Sequence, residues 1–182
     1  IFNLARNDQD ARVRGMAYKA LHTMAARSSS VWRDILYAAR SEKDLDVRKA
    51  IIWALFESSG QSEVRNFLLR AAWDANLDQG LRVEAIKSLY GAMGYSDVRR
   101  DMVRLSGDER QPKDLRLTAI LTLGGVSGSE MSRAIEALLR SPDADVRAAA
   151  LKAAGGLSEE LRRFFHLGYK INERYVSPIE NE

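Results

Sequence analysis

The chain has 182 residues, 46% of them hydrophobic and 29% charged, with a formal net charge of +3 from 28 basic and 25 acidic side chains. That composition fits a folded chain and argues against disorder, and its charge is too balanced to point to nucleic acid despite a sequence pI near 9.3. The lack of Cys excludes disulfides, thiol chemistry and thiolate metal sites while leaving the compartment open, and no apolar run approaches the ~20 residues that span a bilayer.

Only 3 Pro occur and strand-like alternation is absent, so every element reads as a helix. Ile1 to Arg6 read as the end of a helix. Ile1 to Asp8 precede Arg14 in the register in which Ile35 to Glu42 precede Arg48, so the chain is expected to be a segment of a longer array, cut inside a repeat. Helices are predicted over 10–27, 31–40, 44–58, 62–74, 78–93, 97–105, 113–126, 129–140, 143–155 and 158–173, with an irregular tail over 175–182. The starts are marked by residues whose short side-chain oxygens accept free backbone N–H groups: Asp10, Ser30, Asp44, Asp78, Asp143 and Ser158. Pro112 suits a first helical turn, where no N–H is needed. Gly60 and the Gly155-Gly156 pair mark ends. No low-complexity linker divides the chain, so 1–182 reads as a single domain.

One pattern recurs five times. Asp44-Leu45-Asp46-Val47-Arg48 opens its clearest copy; the others end in Arg14, Arg82, Arg116 and Arg147. Those arginines are 34, 34, 34 and 31 residues apart, a period that marks a solenoid. Counting each Arg as zero, positions −1, +3, +6, +7 and +10 share one helix side. Position +6 is always small (Ala20, Ala54, Ser88, Thr122, Ala153), as close helix approach requires. Position +7 is Leu in four copies and Ala154 in the fifth. The Asp four residues before most of these arginines favours the positive helix start. The Arg is expected to bridge to an Asp or a backbone carbonyl of the neighbouring repeat.

Asp-x-x-Val-Arg-x-x-Ala with a small/Leu run, at 31–34 residue spacing, resembles HEAT-like repeats, in particular the short type named after phycobilisome lyases. The resemblance implies an all-α fold: an α-solenoid of about five antiparallel helix pairs, curved into a superhelix, with second helices lining the concave side. Positions +1, +5 and +8 lie opposite the core side and on that architecture face the groove. There stand Lys49, Trp53 and Phe56, then Val83, Lys87 and Tyr90, then Leu117 and Leu121, with Lys19 and Lys152 to either side and no Asp or Glu in these rows.

An apolar, aromatic centre with a basic rim is the expected form of a protein or peptide site, here for a partner carrying acidic residues. Trp53 is the residue singled out, and Trp53→Ala is expected to weaken partner affinity while leaving melting nearly unchanged. The competing expectation packs Phe56, Tyr90 and Leu121 against the next helix pair. No catalytic, metal or cofactor site is expected. His22 and His166 are the only histidines and are far apart, Ser28 to Ser30 lack a base, and the Gly-Gly pairs lack a phosphate-loop context. Arg99, Arg100, Arg104 and Arg110 are interleaved with Asp97, Asp101, Asp108 and Glu109 and read as a solvated helix face. The leading reading is a non-enzymatic binding scaffold. The alternatives are a lyase-type subunit acting on a tetrapyrrole-bearing protein, by fold-level analogy alone, and backbone-directed DNA binding.

Overall fold

The computed structural model describes residues 1–156, so the helix expected over 158–173 and the tail over 175–182 lie outside the described residues. Within them no strand occurs. The helices are α1 (Phe2–Asn7), α2 (Ala11–Ala20), α3 (His22–Arg27), α4 (Ser29–Ser41), α5 (Leu45–Ala54), α6 (Ser62–Trp73), α7 (Gln79–Ser88), α8 (Ser96–Gly107), α9 (Lys113–Leu123), α10 (Ser129–Leu139) and α11 (Ala144–Ala154). Tight 3-10 turns over Phe56–Ser58 and Leu89–Ala92 follow α5 and α7.

The helices pair as α1/α2, α4/α5, α6/α7, α8/α9 and α10/α11. The second helices α2, α5, α7, α9 and α11 each pack extensively on the next, whereas first helices of successive pairs barely meet, α8 and α10 making the most of that row. A closely packed row beside a splayed one bends the stack, and the packed row lies on the inside of the curve. This is an α-solenoid with its second helices on the concave face.

The small and Leu positions build that inner row. Ala54, Ser88, Thr122 and Ala153 are buried, as are Leu21, Leu55, Leu89 and Leu123. The two hydroxyls find acceptors: Ser88 Oγ donates to the Ile52 carbonyl of the preceding repeat at 3.1 Å, and Thr122 Oγ1 to the Thr118 carbonyl at 2.8 Å. A buried hydroxyl without a partner would cost ~1–3 kcal/mol.

The second helices are shorter than the pattern predicts. Those expected to run over 10–27, 44–58 and 78–93 break at Leu21, Leu55 and Leu89, which are 34 residues apart and have ψ of −8, −8 and −13°. At the break Leu55 N–H donates to Ile52 O at 3.2 Å, a bond one residue tighter than the α-helical ladder. Ser88 engages that same carbonyl from the next repeat. Helix ends commonly tighten in this way to satisfy their last carbonyls. The resulting turns press together, and a Cβ on Gly91 would lie 2.6 Å from both the Phe56 carbonyl oxygen and Ser59 Oγ.

The four Asp N-caps form as expected. Asp10, Asp44, Asp78 and Asp143 accept from first-turn N–H groups, while Pro112 provides no side-chain cap. Three of the repeat arginines take backbone-carbonyl acceptors, but within their own repeats and not, as expected, in the neighbouring one. Arg14 donates to Asp8 O at 2.9 Å, Arg82 to Ala72 O at 3.1 Å, and Arg147 to Ser141 O and Pro142 O at 2.8 Å. Each thereby closes the negative end of its first helix. Arg14 and Arg82 also reach the next repeat, at Glu42 (3.1 Å) and Gln111 (2.6 Å) and not at an Asp. A second ladder, not foreseen from the period, runs at the opposite ends of the helices. Arg65 joins Gly60 O to Asp97, and Arg99, 34 residues later, donates to Met93 O and Gly94 O.

Candidate functional site

The concave row sorts the expected site residues into two groups. Trp53 and Phe56 are not open to a partner: they are 3% and 8% exposed and belong to the core. His22, itself buried, meets Trp53 edge-on at 5.1 Å and stacks on Phe56 at 5.8 Å, and the Trp53 and Phe56 rings are 5.3 Å apart. Glu57 Oε1 lies 3.2 Å from His22 Nδ1. The cause is local: the break at Leu21 carries α3 beside the turn that follows α5, and three rings fill the hollow between successive repeats. At such sites a large ring is a packing element first.

Lys49, Val83, Lys87, Tyr90, Leu117 and Leu121 are all half-buried. Of these, Val83, Leu117 and Leu121 come together. With Asp114, Thr118, Asp145 and Lys152 they line a cleft of about 460 Å³ where α7, α9 and α11 lie side by side. Copies four and five offer Leu121, Ala148 and Lys152 where copies one and two offer Lys19, Lys49 and Trp53. A comparable cleft of about 430 Å³, lined by Gly15, Met16, Lys19 and Ala50 among others, lies between α2 and α5, beside the buried Trp53 and Phe56. Tyr90 packs at the edge of the core between the two regions.

The charge around the cleft is mixed, not purely basic. Lys113 bridges Asp143, at 3.0 Å, and Asp145. Its hydrogen bond, followed by those from the Asp145 and Val146 backbones, holds the Asp143 carboxyl below the usual range. Up the groove, Glu84 of α7 is half-buried. Burial raises its pKa, opposed by the nearby positive charges of Lys87, Lys19 and Lys49. Three consecutive second helices thus bring their lysines toward one acid. Lys49 also lies across Gly80, where a Cβ would meet Lys49 Cε at 2.9 Å, and the Lys19 ammonium sits 5.9 Å from the Trp53 ring centre. Glu84 falls one position beyond the groove row at +1, so the three-position pattern omits it. Its i,i+3 spacing from Lys87 is the available sequence signal.

A larger cleft of about 980 Å³ lies at the loop ends of α1, α2 and α4. Its charged groups are engaged with one another, Arg6 with Asp34 at 2.8 Å and Arg14 with Glu42. The basic run is similarly occupied: Arg104 covers the Trp73 ring at 4.9 Å and Arg110 pairs with Asp108 at 2.9 Å. Among the described residues no group of His, Asp or Glu is arranged to hold a metal ion, and no helix is long and apolar enough to cross a membrane. His166 lies outside them.

A family model described as HEAT repeats matches residues 1–90. The match agrees with the helical stack and with a HEAT-like repeat family, whose repeats generally mediate protein–protein interaction and whose members are typically non-enzymatic scaffolds. No curated protein matches the chain.

Proposed function

We propose that this HEAT-repeat stack is a binding scaffold that holds a protein or peptide segment along its concave face. In this reading Leu117, Leu121 and Val83 receive apolar side chains, and Lys49, Lys87 and Lys152 favour acidic ones. Trp53 and Phe56 lie beneath as the packed floor of the upper groove. The observation that carries the reading is the cleft between α7, α9 and α11: apolar at its base, charged at its rim, and formed by the row that the curvature turns inward. An apolar centre with a polar rim is the general anatomy of a protein interface, and long side chains at the rim contribute steering more than affinity.

The test is a peptide-display selection on the intact chain, counter-selected with Leu121→Asp. Enriched ligands should combine apolar and acidic residues and lose at least tenfold in affinity on Leu121→Asp. Ligands that bind both chains equally would place the site elsewhere.

A further inference from the structure

The larger cleft, at the loop ends of α1, α2 and α4, holds polar groups that the fold does not use. We propose that it receives an arginine side chain of a protein partner, at a site separate from the concave face and opposite to it in charge preference.

The first observation is a hydroxyl. Tyr18 is only 5% exposed, yet it lines this cleft, and its Oη makes no hydrogen bond with a described residue. Burial, then the charge of Glu42, pushes its pKa up against the opposing charges of Arg6 and Arg14. The group therefore stays a neutral phenol, able to accept a hydrogen bond as well as give one. A ligand that supplies the missing partner recovers the cost of burying it unpaired.

The second is charge. Arg6 is taken by Asp34, and Arg14 by Glu42. The charges of Asp44 and Asp8 also act on Arg14, so one guanidinium stands against three carboxylates. Asp8 Oδ1 accepts from Asp10 N–H, and Asp44 Oδ1 from the N–H groups of Asp46 and Val47. The Oδ2 atoms of both take no hydrogen bond from a described residue. The 13-residue α4 ends in this cleft at Ala38 and Ser41, and the carbonyl end of a helix favours positive charge. Lys43, exposed at the rim, opposes this in part. The lining still sets Asp8, Asp34, Glu42 and Asp44 against Arg6, Arg14 and Lys43.

The third is shape. A volume of about 980 Å³ stands at the upper end of the ~300–1,000 Å³ usual for ligand sites. A guanidinium fills a fraction of that, and the chain on either side of it takes the rest. Tyr37, 73% exposed, brings an open ring to the lining. Guanidinium is planar, carries five N–H donors and no acceptor, and stacks on aromatic faces. It has donors enough for the two Oδ2 atoms and Tyr18 Oη together. An ammonium is a compact point charge without a flat face.

The test is an NMR titration of the intact chain, followed at the Tyr18 ring, with a blocked serine–arginine–serine peptide and its lysine and citrulline counterparts. The arginine peptide should shift the Tyr18 signals saturably, the lysine peptide should bind at least fivefold more weakly, and the citrulline peptide should not saturate. Three substitutions spare the fold: Tyr18→Phe keeps the ring, Asp44→Asn keeps a good helix cap, and Tyr37→Ala lies at an exposed position. Each should weaken the arginine peptide at least threefold, whereas Leu121→Asp should leave its affinity unchanged. Equal binding of the arginine and citrulline peptides overturns the proposal. So does an affinity that Tyr18→Phe and Asp44→Asn leave intact, or one that Leu121→Asp abolishes in a folded chain.

Discussion

The two halves of the concave row place different side chains at the same repeat positions. Around α2, α3 and α5, His22, Trp53 and Phe56 occupy the inward positions and pack into one another. Around α7, α9 and α11 the inward positions are Val83, Leu117, Leu121 and Ala148, which line a cleft themselves, whereas the comparable cleft between α2 and α5 is lined by Gly15, Met16, Lys19 and Ala50 and not by the rings. A residue's place in the repeat settles which way it points. The size of its neighbours in the adjacent copies settles whether that direction ends in protein or in open space. Aromatic content alone would put a binding surface on Trp53 and Phe56, which are buried.

The sharpest way to break this contrast is to empty the aromatic half. Trp53→Ala should cost about 3–5 kcal/mol, the usual range for removing a buried aromatic ring. At ~2–4 °C per kcal/mol for a chain of this size, melting should fall by roughly 10 °C. This reverses the outcome expected from the sequence alone, where Trp53 was to be a groove residue of little weight for stability. Leu117→Ala, half-buried, should cost much less in the same melting experiment. Equal losses would erase the distinction between the halves.

The junction between the halves is next. Gly91→Ala puts a Cβ against the Phe56 carbonyl, a backbone atom that cannot swing away, so urea unfolding should show a loss of ~1–3 kcal/mol. A neutral result would mean that the turns after α5 and α7 are not packed as described.

A smaller effect separates the capped repeats from the uncapped one. Asp44→Ala removes a side chain that accepts from Asp46 and Val47 N–H, at a cost of ~1 kcal/mol. Pro112→Ala removes no side-chain cap, and chemical unfolding should show the smaller change there.

Acid should act on both halves alike. Asp10 and Asp108 are held at about 2, first of all by side-chain hydrogen bonds from Arg12 and Arg110. A folded-state pKa below the unfolded value stabilises above the unfolded value and loses that contribution as pH falls through the folded one. Melting should therefore decline from about pH 4 toward pH 2. These groups are solvent-exposed, so the decline should be shallow and further weakened by salt. Glu84 works in the opposite sense. Burial raises its pKa, so its penalty is absent below its unfolded value and grows as pH rises through the folded one. A steep acid transition would point instead to the largely buried Glu42, which pairs with Arg14 and whose carboxyl is also held below its usual range.

Much of the fold is legible in the chain because it repeats. Asp at the caps, small residues at Ala54, Ser88 and Thr122, and Leu at the following position recur with the period and take equivalent places. What is not legible depends on contacts between copies. The breaks at Leu21 and Leu55 look like uninterrupted helix in the sequence, and only the shifted α3 brings His22 against Trp53. The second arginine ladder escapes because Arg65 and Arg99 repeat without a flanking Asp-x-x-Val motif. In the candidate site, Leu117 and Leu121 are visible from their spacing. The acids Asp114 and Asp145 at the cleft are not, because they project from rows beside the one that faces inward.

The proposed concave partner site is the cleft between α7, α9 and α11, and not the buried Trp53–Phe56 cluster. The most direct measurement is the affinity of one selected apolar–acidic peptide for the parent chain, for Leu121→Asp and for Trp53→Phe, each checked for folding by its melting curve. The account predicts at least a tenfold loss on Leu121→Asp with modest change in melting, and near-parent affinity for Trp53→Phe. Affinity lost on Trp53→Phe and kept on Leu121→Asp would contradict it.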